Sequence, residues 1–497
     1  MRDALNTTLI FMMLLGCDRG FDANAVFPAV ISDETDVVID TDAGPDGTDA
    51  PDTASDPPAD TDPPGDTASP ADTGERIPAL VQFDGPTPSN VLMISVDTLR
   101  RDALGYYAGE DRDTPTFDRL LADGVSLDRH RSCSNWTYAS ALCALSGKDN
   151  LDMGFVPEAG ALLEEQQVSP DTLLISTMLG LRGLRTALVS TNPYIGATYG
   201  YDAHYDEIWD GGGELAEGPD VIEQGLKYIE EFQSGSEPWM VHMHFLEPHT
   251  PYQPPAEYIE GADTVLGFNL KTPQGVDSAE IAYNSMTTSQ QAILQEYAQR
   301  MYAAEVRGMD DLLEGLLDTL DASGALDDTL IVLWTDHGEQ LWDRGNLTHG
   351  KDLHSEEADA VAAFWSKDII PTHFPLRTAH RDLTPTLLDT LGFSDNRQHI
   401  GRALNAEVEG VPIHALRLRS YDTIHSVDMG AWRMLYRWDG TLQVYDLDED
   451  PDELENLVDL TDADQYALWL LMEPEVERAI NYYETPSTPQ MPAWDVK

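Results

Sequence analysis

Two apolar runs in this sequence stop at acids. Asn90 to Val96 leads directly into Asp97, and Thr329 to Trp334 leads into Thr335-Asp336-His337. A third run, Trp239 to Phe245, passes into Glu247-Pro248-His249. Short apolar runs of this kind read as strands of a parallel sheet buried on both faces. In open α/β sheets, ligands bind beyond the carboxyl ends of the strands. The acids and imidazoles therefore converge on one edge. Asp97, Asp336 and His337 offer two carboxylates and an imidazole, a donor set for one divalent metal ion, with Ca, Mg, Mn and Zn all open. Thr137, within Trp136-Thr137-Tyr138-Ala139-Ser140, stands at the start of a helix. Free N–H groups and the helix dipole favour an anion there. A hydroxyl held at that point against a metal could ionise and attack phosphorus or sulfur. Taken singly, an Asp after a strand is more often a turn residue, and Thr137 could be a plain N-cap. The shared edge is what adds weight.

The elements that must position these groups follow an alternating pattern. Thr116 to Gly124, Thr137 to Leu145 (closed by Gly147), Asp171 to Leu181, Ser289 to Leu320 and Leu383 to Leu391 read as helices. Thr186 to Ser190 and Ala360 to Trp365 read as further strands. Strands alternating with helices predict an α/β fold, with a mostly parallel central sheet flanked by helices. After about Gly401 the pattern turns antiparallel. Trp432 to Arg437 and Leu442 to Tyr445, around Asp439-Gly440, read as a hairpin. The expected organisation is a catalytic α/β domain over 79–400 and a small antiparallel subdomain over 401–497. His242 and His244, alternating on one strand, read as structural. His130 and Arg131 read as packing or surface groups, Met309 as core, and Trp136 as core beside the site. The stretch from Ala256 to Thr287 reads as a loop shaping the pocket.

Several motifs stand together in a specific order. Asp97-Thr98-Leu99-Arg100-Arg101-Asp102 is followed by Thr114-Pro115-Thr116-Phe117-Asp118-Arg119-Leu120 and Glu247-Pro248-His249-Thr250-Pro251-Tyr252. Thr335-Asp336-His337-Gly338-Glu339, His349-Gly350-Lys351 and Tyr445-Asp446-Leu447 come next. From about Ala79 to about Asp459 the chain resembles the sulfatase family of the alkaline phosphatase superfamily. That resemblance implies an alkaline phosphatase-like fold and a hydrolase of anionic esters. It implies Asp97, Thr137, Asp336 and His337 as ligands of one metal, with Thr137 as nucleophile. It further implies that His249 and His349 contact the transferring group or protonate the leaving oxygen. Lys351 would stabilise developing charge, and Asn192 would line the substrate pocket.

The departures from that family matter equally. Sulfatases proper carry a Cys-x-Pro-Ser-Arg motif whose Cys is oxidised to formylglycine. Here Thr137-Tyr138-Ala139-Ser140-Ala141 takes its place. Thr98 replaces the second of the usual paired aspartates, and Asp336-His337 replaces an Asp-Asn pair. Ser190-Thr191-Asn192-Pro193 replaces a segment bearing lysine and histidine. These changes resemble branches that use Thr on phosphodiesters. Two other functions stay open at this point: a catalytically weak binder of an anionic glycan or lipid headgroup, and a transferase of the phospho group.

Composition bounds the partners. With 29 Lys and Arg against 89 Asp and Glu, the formal net charge is −60, which repels nucleic acid and anionic membrane. The N-terminus carries Arg2, an apolar run from Leu9 to Leu15, and Gly16-Cys17. This reads as a secretion signal, too short to span a bilayer. Leu14-Leu15-Gly16-Cys17 resembles a bacterial lipobox, which implies a lipid anchor at Cys17 and an exported lipoprotein on the periplasmic or outer face of a membrane. The Asp-, Pro- and Thr-rich stretch within 18–78 cannot form a core and reads as an extended tether. Of the remaining cysteines, Cys133 and Cys143 could form a disulfide or stay as buried thiols.

Overall fold

The computed structural model describes residues 79–109, 112–153, 167–211, 217–259, 261–393, 401–405, 410–418, 422–482 and 489–496. The expected signal segment, Cys17 and the acidic tether lie outside the described residues. Among the described residues, no helix is long and apolar enough to cross a membrane.

The strands in chain order are β1 (Asn90–Val96), β2 (Val125–Arg131), β3 (Arg185–Ser190), β4 (Glu207–Trp209), β5 (Trp239–Phe245) and β6 (Thr329–Thr335). After them come β7 (Gln340–Leu341), β8 (Leu347–Thr348), β9 (Ala362–Trp365) and β10 (Thr372–Ala379), then β11 (Ile413–Arg417), β12 (Ile424–Met429), β13 (Trp432–Arg437) and β14 (Leu442–Asp446). The main sheet has the order β10-β2-β9-β6-β1-β5-β3-β4. In β1, β5 and β6 every residue but Asn90 is buried. These central strands meet helices on both faces, so their apolar runs are continuous rather than alternating. One face is covered by the long helix Thr288–Ser323, which contributes Leu294, Met301 and Leu313. The other is covered by the helices Thr137–Ser146 and Leu383–Thr390.

All strands of this sheet run the same way except β9, which is antiparallel to both β6 and β2. The expectation of a strand near Ala360–Trp365 holds, but its direction follows from the connection. Between β6 and β9 lie only the β7–β8 ribbon and a four-residue helix, Ser355–Ala358. Without a crossover helix the chain stays at the carboxyl edge and must re-enter from there. The helix expected over Asp171–Leu181 is confined to Ile175–Gly180, because a turn from Ser169 to Thr172 occupies its start. The stretch expected as a pocket loop holds a helix, Pro273–Tyr283, capped by Thr272.

The hairpin of β13 and β14 forms as expected, with Gly440 at φ +95° in its turn, where an L side chain is disfavoured. It belongs to an antiparallel sheet ordered β11-β12-β13-β14 and covered by the helix Ala463–Tyr482. Residues 401–405 still pack on the main sheet's layer, with Leu404 in its core. Arg433 of β13 pairs with Asp428 at 2.7 Å, Asp359 at 2.6 Å and Glu453 at 3.0 Å, all buried. Arg131 of β2 meets the same Asp359 at 2.9 Å. This ionic cluster joins the small sheet to the large one. Arg131 is thus a buried ion-pair residue. Cys133 and Cys143 are joined by a disulfide.

Candidate active site

The carboxyl ends of β6, β1, β5 and β3 stand side by side. Asp97 follows β1 and Asp336-His337 follows β6, all fully buried. The chain turns sharply after Asp97, with Thr98 at φ +53°. Its N–H donates to Asp336 Oδ1 at 3.0 Å, and the His337 N–H donates to the same oxygen at 2.7 Å. Asp336 Oδ1 is thereby satisfied, while Oδ2 has no hydrogen-bond partner. Asp97 shows the same division. Its Oδ2 accepts from Asn192 Nδ2 at 2.7 Å and lies 3.5 Å from His244 Nε2, whereas Oδ1 has no partner. His337 Nδ1 donates to the Gly338 carbonyl at 2.9 Å, which leaves Nε2 with its lone pair.

These groups gather. Asp97, Asp336 and His337 each offer a ligand atom within 4.8 Å of the others. Thr137 Oγ1 lies 3.4 Å from His337 Nε2, and so does Asp336 Oδ2. β2 brings the chain to the same edge, and the Thr137–Ser146 helix begins there with no side chain capping its N-terminus. Unsatisfied buried carboxylate oxygens are rare and costly. The electrostatics point the same way. Burial works against the Asp97 charge, yet His244, His249 and His337 hold its carboxyl below the ordinary range. Burial and the neighbouring Asp97 push the Asp336 carboxyl up. Two buried carboxylates aimed at one gap, with an imidazole and a hydroxyl beside them, fit one divalent cation.

The other expected residues divide. His349 is buried, its ring 4.4 Å from that of His337 and 5.0 Å from that of His249. Burial, His337 and His249 push the His349 imidazole well below its usual value, so it is neutral at pH 7. Its Nδ1 meets Glu339 at 3.3 Å. Burial raises the Glu339 carboxyl to about 7. His249 therefore joins the cluster, with its Nδ1 donating to the Thr250 carbonyl. Asn192 is brought in, but its amide nitrogen is spent on Asp97 and its oxygen accepts from the Tyr194 N–H at 3.0 Å. Lys351 stands at the rim, its ammonium held by Glu280 at 2.9 Å.

Sequence reasoning passed over Ser95 and His380. Ser95 Oγ bridges His242 Nε2 and His244 Nδ1, each at 2.8 Å, and so ties both histidines to the strand beneath Asp97. His380 Nε2 donates to the Asp336 carbonyl at 2.8 Å and is backed by His130 at 2.9 Å. The shared face of His242 and His244 was the one visible signal. The pairing of His130 on β2 with His380, just after β10, has no local signature.

A sulfatase family profile matches residues 89–393, the span that carries every group above. The chain belongs to the sulfatase family. Sulfatase-family enzymes are hydrolases acting on ester bonds. Among curated relatives, choline-sulfatase of Rhizobium meliloti is 27% identical over 45% of this chain and 46% of its own length. The chain thus spans about half of that relative. A sulfatase of Formosa agariphila is 23% identical over 73% of this chain and 82% of its own. A solved structure, in complex with its substrate D-glucosamine-2-N,6-O-disulfate, is 17% identical. It covers 81% of this chain and 99% of that one with a TM-score of 0.61, a likeness of fold.

Proposed function

We propose that this sulfatase-family protein is a metal-dependent hydrolase of an anionic phosphate or sulfate ester, with Thr137 as its nucleophile. The observation that supports it best is the position of Thr137 Oγ1, 3.4 Å from His337 Nε2 at the start of a helix. A divalent ion held by Asp97, Asp336, His337 and Thr137 would supply the positive charge that favours the ionised hydroxyl and offsets charge on the transferring group. Thr137 Oγ1 would attack phosphorus or sulfur and form a covalent ester as the alcohol oxygen leaves. The uncapped N–H groups of the Thr137 helix would hold the anionic oxygens. His349 would donate a hydrogen bond to the leaving oxygen through Nε2, and His249, whose Nδ1 proton is spent on the Thr250 carbonyl, would contact the transferring group. Water would then cleave the Thr137 ester and release the anion. Asp97 is oriented by Asn192 and His244, and Asp336 by the turn at Thr98. Lys351, neutralised by Glu280, would screen the rim rather than the reacting oxygen. Thr in place of an oxidisable Cys favours a phosphate ester.

The test is turnover of an aryl phosphate, an aryl phosphodiester, an aryl sulfate, choline sulfate and a sulfated glucosamine, each with Mn, Zn, Ca or Mg. Turnover of at least one ester that is abolished by Asp97→Ala and by Thr137→Ala is expected. Tight ligand binding without turnover in any metal would replace the enzyme by a binding protein. Turnover only with an added alcohol acceptor would make it a transferase. The export reading is kept alongside: fatty-acid labelling of the expressed chain, lost in Cys17→Ala, is expected for an anchored lipoprotein.

A further inference from the structure

Glu357 lies in the short helix Ser355–Ala358, completely buried. Its carboxylate accepts four hydrogen bonds. Oε2 takes Asn135 Nδ2 and the Lys351 N–H, both at 2.9 Å. Oε1 takes Gln340 Nε2 at 2.6 Å and the Asp352 N–H at 2.9 Å. Its backbone carbonyl accepts the Gly338 N–H at 2.8 Å. Asn135 itself closes the arrangement: its side-chain Nδ2 also donates to the Asp352 carbonyl at 2.6 Å, and its backbone carbonyl accepts the Gly350 N–H at 3.1 Å.

The donors come from three segments, two of which also meet in the β7–β8 ribbon. Asn135 stands two residues before Thr137. Lys351 and Asp352 follow His349. Gly338 and Gln340 follow His337. One buried carboxyl, pushed up to about 8 by burial and Asp352 yet faced by four donors, thus gathers the loops that carry the nucleophile, the buried His349 and a metal-ligand candidate. We propose that Glu357 is a positioning residue for the reaction, setting Thr137 against His349 and His337. This rests on the roles of Thr137 and His349 given above.

Four donors and no acceptor face the carboxylate, which makes glutamine a sharp probe. An amide is the same size but turns an N–H₂ toward two donors. A packing role is filled by Gln; an accepting role is not. In Glu357→Gln, kcat should fall by about a hundred-fold, the cost of misplacing a reacting group by about 1 Å, with KM little changed. Hydrogen–deuterium exchange should speed up together in the segments 132–137 and 348–353, and stay unchanged in β1. Wild-type kcat together with a wild-type exchange pattern in Glu357→Gln would overturn the proposal.

If Glu357→Gln does not fold, Asn135→Ala decides. It removes one donor and buries no new N–H. A loss of kcat of about ten-fold or more is expected, with faster exchange over 348–353; an unchanged pattern overturns the proposal. Exchange also separates the two readings. If the wild-type protein turns over no ester, loosened segments in Glu357→Gln still uphold the clamp, and unchanged segments sink it.

Discussion

Replacing Asn192 with alanine removes the amide that donates to Asp97 Oδ2 at 2.7 Å. Asp97 is fully buried, and its other oxygen has no partner. A hydrogen bond to a charged group contributes about 1.5–3 kcal/mol. At about 1.4 kcal/mol per tenfold, that corresponds to about 10–150-fold in whatever equilibrium needs Asp97 held in place. Loss of a group that orients a metal ligand costs about 10–100-fold in metal affinity, so the two lines of reasoning agree. The assay is calorimetric titration of Mn²⁺ or Zn²⁺ into wild type and Asn192→Ala, followed by kinetics at saturating metal. Metal affinity should drop by one to two orders of magnitude, about the factor just derived. Saturating metal should restore most of kcat, and KM should stay near wild type. Unchanged metal affinity with a raised KM would refute the reasoning and return Asn192 to the role of a substrate contact.

Other consequences are independent of that residue. Replacing both Cys133 and Cys143 with alanine opens the disulfide that encloses Thr137 and should lower stability by about 2–3 kcal/mol, read by urea unfolding, with a parallel loss of kcat. Arg433→Met removes the buried cation shared by Asp359, Asp428 and Glu453, with Arg131 left on Asp359 and Asp428; a loss of about 3 kcal/mol is expected from unfolding curves, and a loss under about 1 kcal/mol would show that the remaining arginines compensate the acids. Burial pushes the Glu305 carboxyl from 4.5 up to about 8. The folded state binds that proton more tightly than the unfolded chain, so this contribution is full below pH 4.5 and is lost as pH rises to about 8. Glu305→Gln should therefore gain stability relative to wild type between pH 5 and pH 9, and a pH-independent difference between the two would disprove the assignment.

The fold was legible where burial is apolar and continuous. β1, β5 and β6 announce themselves by apolar runs that give way to Asp97, Glu247 and Asp336, and those acids are conspicuous because they break the runs. β2 was invisible for the opposite reason. Val125-Ser126-Leu127-Asp128-Arg129-His130-Arg131 is polar, and its His130 and Arg131 are buried by partners hundreds of residues away, His380 and Asp359. Hydropathy records neither such pairing nor strand direction, so the reversal of β9 within the mostly parallel sheet had no signal in the sequence. Thr137 could be named because a helix start is a local property. The spent amide of Asn192, the neutralised ammonium of Lys351 and the clamp at Glu357 are properties of tertiary neighbours. Strand ends locate a site, and packing decides which of its polar groups remain free to react.

The most direct measurement is a rapid acid quench of the protein during turnover of an aryl phosphate or aryl sulfate with a divalent metal, followed by peptide mapping. The expected result is the transferred phosphoryl or sulfuryl group on Thr137 Oγ1, absent from Thr137→Ala, which also loses turnover. Undiminished turnover by Thr137→Ala, or a trapped group on any other side chain, would contradict a threonine nucleophile at this site.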